Sequence, residues 1–323
     1  MRLTIKRSIS LLLLAAFTTL LVTACNPTSN LSIKRYDKSI KYCRVVQDVM
    51  GNTCIPNNPQ RIVTMMSISL GSAWALGIKP IASAWVPGEP FPAYIKDQEQ
   101  LENIGTLYEP NVEKILQLKP DLIVSNTRPA LKRIHKQLSS IAPTVVVDAP
   151  IPPLSWQQSL EDIANLFGKE QESQRLIELY WQRVEKLRQA LGDKRYQLKV
   201  SVITINPPYG IFTYGQKHPT SQVLSDVGLQ RPLIQMGDFT TKEQISQELL
   251  PELDGDVIFL SYRGKKAAKE SLEKLQQTPL WRTLKAVQQN RVYLVDANHW
   301  YAFDVLAMNA VIDDLFKYLV NAP

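Results

Sequence analysis

The chain has 323 residues, with 37 Lys and Arg against 30 Asp and Glu, a formal net charge of +7 and a mean hydropathy of −0.14. A length of this order can build two domains with cores of their own. No basic run is dense enough for a nucleic-acid binder, whereas a mild positive excess suits attraction of an anionic small molecule.

Residues 1–24 read as an export signal. Arg2, Lys6 and Arg7 precede a run from Ile9 to Val22 that is apolar apart from Ser10, Thr18 and Thr19. That run falls short of the about 20 residues that span a bilayer comfortably. It closes on Leu21-Val22-Thr23-Ala24-Cys25, which resembles a bacterial lipoprotein box. The resemblance implies that Cys25 becomes a lipid-bearing N-terminus. An ordinary secretory signal followed by a chance Cys is the other reading. Removing the three basic residues of the signal takes the net charge from +7 to +4. No later run is long and apolar enough to cross a membrane. Residues 25–42 are polar and aperiodic and read as a tether.

Cys43 and Cys54 bracket CRVVQDVMGNTC, two short strands around a turn. Exported chains favour disulfides, and cross-strand positions can meet the geometry of the bond, so the pair is expected to be bonded. Metal ligation is the alternative, with no His or further Cys nearby. From Arg61 onward apolar strand runs alternate with helical stretches. Arg61–Met65 and Ile81–Trp85 read as strands, with a helix at Leu70–Leu76 that stops at Gly77. The Pro-rich stretch 86–92 reads as loop. Asn111–Lys119 reads as a short helix ended by Pro120. Leu122–Ser125 and Thr144–Val147 have buried-strand length, with a helix at Ala130–Leu138 between them. Strand–helix alternation predicts a largely parallel, helix-covered sheet.

The texture then changes. Trp156–Phe167 and Glu170–Leu191 read as helices separated by Gly168. The second, at 1.5 Å per residue, would be roughly 33 Å long and stiff enough to bridge two lobes. Alternation resumes with strands at Lys199–Ile205, Val257–Ser261 and Arg291–Val295. Helices are expected at Ser221–Val227, Ala267–Gln277 and Asp304–Leu319. The expected organisation is a first lobe over 43–154, a helical segment over 155–195 and a second lobe over 196–323.

Two stretches follow one template. NVEKILQLKPDLIVSNTR (111–128) and SQELLPELDGDVIFLSYR (246–263) align without gaps. They share a capping residue (Asn111, Ser246), then Glu113 and Glu248, Leu118 and Leu253, Asp121 and Asp256, Ile123 and Ile258, and a final Arg128 and Arg263. Matched lobes suit a clamp. Ligands of open α/β sheets sit outside the carboxyl ends of strands, and both arginines follow such ends. A guanidinium there can hold carboxylate or hydroxamate oxygens through two parallel hydrogen bonds; a solvated loop arginine is the bland alternative. Trp300, Tyr301 and Trp85 also follow or end strands, Tyr108 and Tyr214 read as lying in loops at comparable edges, and Tyr262 neighbours Arg263. Rings and cations together make a pocket for a bulky, partly apolar anion, although Trp85 or Trp300 could equally be core. Glu113 and Glu248 each sit in the first turn of a helix, where the dipole favours a carboxylate. As one exposed acid per lobe, they could also dock on a two-fold partner. Of the three histidines, His135 reads as a surface residue, His218 lies in a Gly/Pro loop and His299 follows a strand end; none is paired at metal-ligand spacing.

With these residues in view, the chain resembles the substrate-binding lipoproteins of ABC importers for ferric siderophores, haem and cobalamin. The matching segments are NPQRIV (58–63), ALGIKPIA (75–82), IGTLYEPNVEKILQLKPDLIV (104–124), QLSSIAPTVVVD (137–148), VLSDVGL (223–229), ISQELLPELDGDVIF (245–259) and PLWRTLKAVQQNRVYLVD (279–296). The hairpin CRVVQDVMGNTCIPNNPQRIV resembles the iron-siderophore branch. The resemblance implies two Rossmann-like α/β lobes with central sheets, joined by one long rigid interdomain helix, with the ligand cleft between them. It implies permease docking through Glu113 and Glu248 and an aromatic contact at Trp300. Some hydroxamate-siderophore binders carry an arginine where this chain has Leu107 and Tyr108; Arg128 is the candidate to supply that charge. The expectation is a monomeric, lipid-anchored, extracytoplasmic receptor for an Fe(III)-siderophore, of hydroxamate or citrate-hydroxamate type. It would serve an ABC importer permease dimer, with no covalent chemistry and no metal ligand of its own. Haem or cobalamin is the alternative cargo, with Tyr301, Tyr262 or His299 as axial candidates for haem. A secreted lipoprotein hydrolase is the alternative of another class, and it would need a nucleophile–base pair that three scattered histidines do not display.

Overall fold

The computed structural model describes residues 43–85, 89–148 and 155–321. The export signal, Cys25 and the tether lie outside them. A hairpin comes first, β1 (Cys43–Asp48) and β2 (Gly51–Pro56), antiparallel, with Cys43 bonded to Cys54 at a Cα–Cα distance of 5.7 Å. The hairpin is not free-standing. Val46 and Ile55 are buried, and the Asp48 carboxylate accepts from the Val146 amide at 3.0 Å.

The first sheet is built by β3 (Ile62–Thr64), β4 (Ala82–Ser83), β5 (Glu102–Asn103), β6 (Leu122–Asn126) and β7 (Thr144–Val147). It runs in the order β5-β4-β3-β6-β7, parallel throughout. Helices α1 (Ser67–Ala75), α2 (Val112–Gln117) and α3 (Pro129–Ser139) make the crossovers. Two of them start for a visible reason: Asn111 accepts from the Lys114 amide ahead of α2, and Pro129 occupies the first turn of α3. Val63, Ile104, Ile115, Ile123, Leu131 and Val146 are the centre of this core.

Two helices follow, α4 (Trp156–Phe167) and α5 (Glu170–Leu191), separated by Gly168 in the left-handed conformation (φ 66°). Tyr180, Val184, Leu187 and Leu191 form the buried stripe of α5 at helical spacing. The second sheet consists of β8 (Val200–Asn206), β9 (Gly210–Tyr214), β10 (Thr241–Lys242), β11 (Val257–Tyr262) and β12 (Val292–Leu294), in the order β10-β9-β8-β11-β12. Here β8, β11 and β12 are parallel, but β9 and β10 are antiparallel. Its helices are α6 (Pro219–Val227), α7 (Lys265–Gln277), the short α8 (Pro279–Arg282) and α9 (Lys285–Gln288), α10 (Ala297–Tyr301) and α11 (Val305–Leu315). No helix among the described residues is long and apolar enough to cross a membrane.

The long helix joins the two halves as expected. α5 packs against α4, α6 and α11, and α11 packs in turn against α1 and α4. Arg183 of α5 donates to Asn309 at 2.8 Å and pairs with Asp313, both on α11. Tyr180 donates to the Asp226 carboxylate at 2.6 Å and meets Trp156 edge-on.

The shared template has a structural basis. The Asp121 carboxylate accepts from the Gln60 and Arg61 amides at 2.7 and 2.9 Å, pinning the start of β3 beside β6. The Asp256 carboxylate accepts from the Lys199 amide at 2.7 Å, pinning the start of β8 beside β11. Each lobe thus locks its two central strands with the same residue at the same place.

Candidate ligand site

Both arginines are placed by strand ends. β6 runs out at Asn126, and two residues later Arg128 takes an extended conformation as the N-cap of α3. Its guanidinium donates to the Thr127 carbonyl at 2.6 Å. Burial draws its pKa below the ordinary arginine value, while Tyr108 and Tyr301 act in the opposite sense. Arg263 follows Tyr262, the last residue of β11, and its amide still donates to Ile205 at 2.8 Å. Gly264 then turns at φ 96°, a conformation that favours glycine, and α7 begins.

Tyr301 stands against the second of these cations. The Arg263 guanidinium carbon lies 4.1 Å from the Tyr301 ring centroid, a cation–π contact worth ~0.5–2 kcal/mol depending on solvation. Arg128 interacts electrostatically with Tyr108 first and with Tyr301 second. Tyr301 sits at the end of α10, which Asp296 caps by accepting from the Asn298 amide at 2.8 Å. Beneath it lies an aromatic bed: Phe212, Tyr214, His218 and Phe303 have ring centroids 5.9 to 6.4 Å from Tyr301. Burial raises the Tyr301 phenol, with Arg263 opposing, so it is a neutral donor at physiological pH.

A cavity of about 560 Å³ opens beside Arg263, within the range of small-molecule sites. Tyr262, Arg263, Asn206, Asp296 and Asn298 line it from the second lobe, and Glu89 lines it from the loop before α2. The lining is mixed in charge: one guanidinium, two carboxylates and two amides. It can offer donors to ligand oxygens and acceptors to ligand hydroxyls or amines.

The other expected residues are distributed unevenly. Tyr108 is 70% exposed and adjacent to Arg128 in its electrostatics. Tyr262 walls the cavity. Trp85 lies one step back, donating its indole N–H to the Pro90 carbonyl at 2.8 Å and packing near Phe91. Trp300 is core. It is fully buried, stacked on Phe259 at 4.6 Å and hydrogen-bonded to Asp314 at 2.7 Å. α10 turns successive side chains by about 100°, so Tyr301 faces Arg263 while Trp300 faces the sheet. Tyr214 is likewise fully buried, because Gly210–Tyr214 forms the strand β9 rather than loop; it stacks on His218 at 3.9 Å and supports Tyr301 from below. His299 pairs with Asp314 at 2.7 Å. His218 is fully buried, and burial brings its pKa down to about 3, so it is a neutral ring at any relevant pH. Among the described residues no group of three His, Cys, Asp or Glu is placed to hold a metal ion.

Sequence reasoning missed Glu89, Asn206, Asp296 and Asn298. Asp296 was legible as a helix cap ahead of Asn298; Glu89 sits in a Pro-rich loop that carries no periodic signal. Glu113 and Glu248 are both exposed, the first in α2 and the second in a 3-10 helix, Gln247–Leu253, capped by Ser246.

Known proteins agree with this architecture. The chain is similar to the protein described as "Probable siderophore-binding lipoprotein YfiY" of Bacillus subtilis, 32% identical over 98% of this chain and 99% of that one. It is similar to the iron(3+)-hydroxamate-binding protein YxeB of the same organism, 25% identical over 98% of each. Among solved structures it resembles Staphylococcus aureus SirA complexed with staphyloferrin B, with a TM-score of 0.71, 27% identity, and coverage of 85% of this chain and 98% of that one. The sequence profile of the periplasmic binding protein family matches residues 62–299. The chain therefore belongs to the periplasmic binding protein family.

Proposed function

We propose that this chain captures a ferric siderophore outside the cytoplasm and presents it to an ABC importer. The observation that carries the reading is the contact of Arg263 with Tyr301 beside the cavity that Arg263 lines. A guanidinium and a neutral phenol in contact form a donor set for the oxygen-rich anionic surface of a chelate, and Arg128, at the matching strand end of the first lobe, is the proposed second cation. A siderophore wraps its iron in its own oxygens, so the receptor recognises the shell and needs no iron ligands. Relatives named for siderophores and for an iron(3+)-hydroxamate support the same class. A hydroxamate or citrate-hydroxamate is the preferred cargo, since Asp296 and Glu89 line the cavity and could accept from hydroxyl and amide groups of such ligands. Cys25 is the proposed lipid anchor. Glu113 and Glu248, one exposed acid per lobe, are the proposed contacts with a two-fold permease. The haem reading gains nothing from His299, whose ring is held by Asp314.

The test is a titration of intrinsic tryptophan fluorescence with ferric hydroxamate, citrate-based and catecholate siderophores, haem and cobalamin. Saturable quenching by a ferric siderophore is expected. Binding of haem or cobalamin alone, or of nothing, would overturn the proposal.

A further inference from the structure

The second sheet is covered unevenly. α7 packs on β8 and β11, which leaves the adjoining face of edge strand β12 open. A groove of about 450 Å³ runs there, floored by Leu260, Val292 and Leu294 and walled by Leu272, Trp281 and Val287. Lys269 and Glu273, also at this groove, face one another at 4.0 Å and so neutralise each other. The groove shares Tyr262 and Leu294 with the cavity that holds Arg263. Leu294 is 53% exposed at that junction. The charged cavity thus adjoins a mostly apolar groove, whose wall also holds Gln276 and Asn290.

We propose that the groove takes an aliphatic chain attached to the ligand. The oxygen-bearing head lies at Arg263, and an acyl tail passes over Leu294 towards Val287. The head-group assignment rests on the siderophore reading; the tail assignment rests on the groove. Continuity decides the occupant. A separate partner would leave the junction at Leu294 wet, whereas a tail leaving the head at Tyr262 covers it. Each fully buried methylene is worth about fourfold in affinity. The groove is open along one side, so an eight-to-ten-carbon tail should gain on the order of tenfold or more rather than the full product.

Equilibrium titrations test this with a ferric hydroxamate head, the same head carrying a decanoyl tail, and decanoate alone. They are run on the chain and on Val287→Trp, which fills the groove, and Val287→Asp, which charges it. The expected result is about a tenfold tighter complex for the tailed ligand, reduced to within about twofold in either variant, with the untailed head unaffected. Equal affinities for tailed and untailed heads in the unaltered chain would overturn the proposal and leave the siderophore reading standing. So would a gain that survives in a folded variant. If no ferric head binds, the siderophore reading falls and decanoate judges the groove. Saturable binding lost in Val287→Trp supports it, and no binding overturns it.

Discussion

Asp304 offers the sharpest quantitative test. It is fully buried at the start of α11, where its carboxylate accepts from the Ala307 amide at 3.0 Å and from the Tyr94 hydroxyl at 3.2 Å. Burial lifts its pKa from 3.8 to about 6, with the hydrogen bonds from Ala307, Tyr94 and Leu306 pulling the other way. Two units correspond to about 3 kcal/mol. Because the folded value is the higher one, the protonated acid's contribution is fully present below about pH 4. It is lost as pH rises through about 6. Asp304→Asn keeps an oxygen for the Ala307 amide but cannot ionise. Urea unfolding of both proteins at a series of pH values isolates Asp304 from every other titrating group, including Asp162, whose pKa burial also raises to about 6. Relative to the variant, the unaltered chain should lose about 2.4 kcal/mol between pH 4 and 7, most of it between 4 and 6. A difference that stays constant with pH, or one that favours the unaltered chain as pH rises, would refute the assignment.

Replacing Arg263 with Ala should weaken the preferred ligand by about 1.5–3 kcal/mol in calorimetry, and Arg263→Lys should recover only part, since an ammonium cannot reproduce the fork; unchanged affinity would remove Arg263 from the site. Gly71→Ala places a methyl carbon 2.2 Å from the Asp304 carboxyl carbon and should cost about 1–3 kcal/mol of stability, with a less than additive loss when combined with Asp304→Ala. Glu113→Ala with Glu248→Ala should spare ligand binding and stop iron uptake in cells; uptake that survives would end the docking proposal. Solution scattering with and without ligand should show only a small compaction, because α5 and α11 tie the two halves along their length.

Much of the fold is readable from the sequence because the central strands and long helices obey simple periodicities. Trp156–Phe167 and Glu170–Leu191 are bounded by a Ser cap and two glycines, and both appear with those bounds. Gly210–Tyr214 is harder. It is the return arm of a hairpin with Val200–Asn206 across residues 207–209, but the Pro-Pro-Tyr-Gly turn masks the strand, and its outward partner, Thr241–Lys242, lies 27 residues downstream. Reading Tyr214 as loop placed it in the site, when it lies under it. Trp300 failed differently: the strand end was right, but a five-residue helix follows it, and the facing of adjacent residues depends on that turn. Arg128 and Arg263 lie where the sequence puts them, because each needs only its place after a strand. The carboxylates of the cavity were not legible, since a lone Glu or Asp in a loop has no pattern to announce it.

The repeated template marks the scaffold more than the site. Asp121 and Asp256 perform the same task, and Ile123 and Ile258 occupy the same register beside β3 and β8. The arginines at the template's end share a position but not a setting. Arg128 is held back on its own strand's exit by Thr127, while Arg263 is released forward by Gly264 onto Tyr301. A short stretch outside either repeat links the second of them to the first lobe. Tyr301 receives Arg263, Phe303 packs on His218, and Asp304 bonds Tyr94 and closes against Gly71. Four consecutive residues therefore connect the proposed ligand surface to a buried polar tie with the first lobe. A shift of Tyr301 on binding would have only three residues to cross before it reached Asp304 and its bond to Tyr94. A two-lobed protein that signals its loaded state to a partner touching both lobes needs that coupling, and matched repeats alone would not provide it.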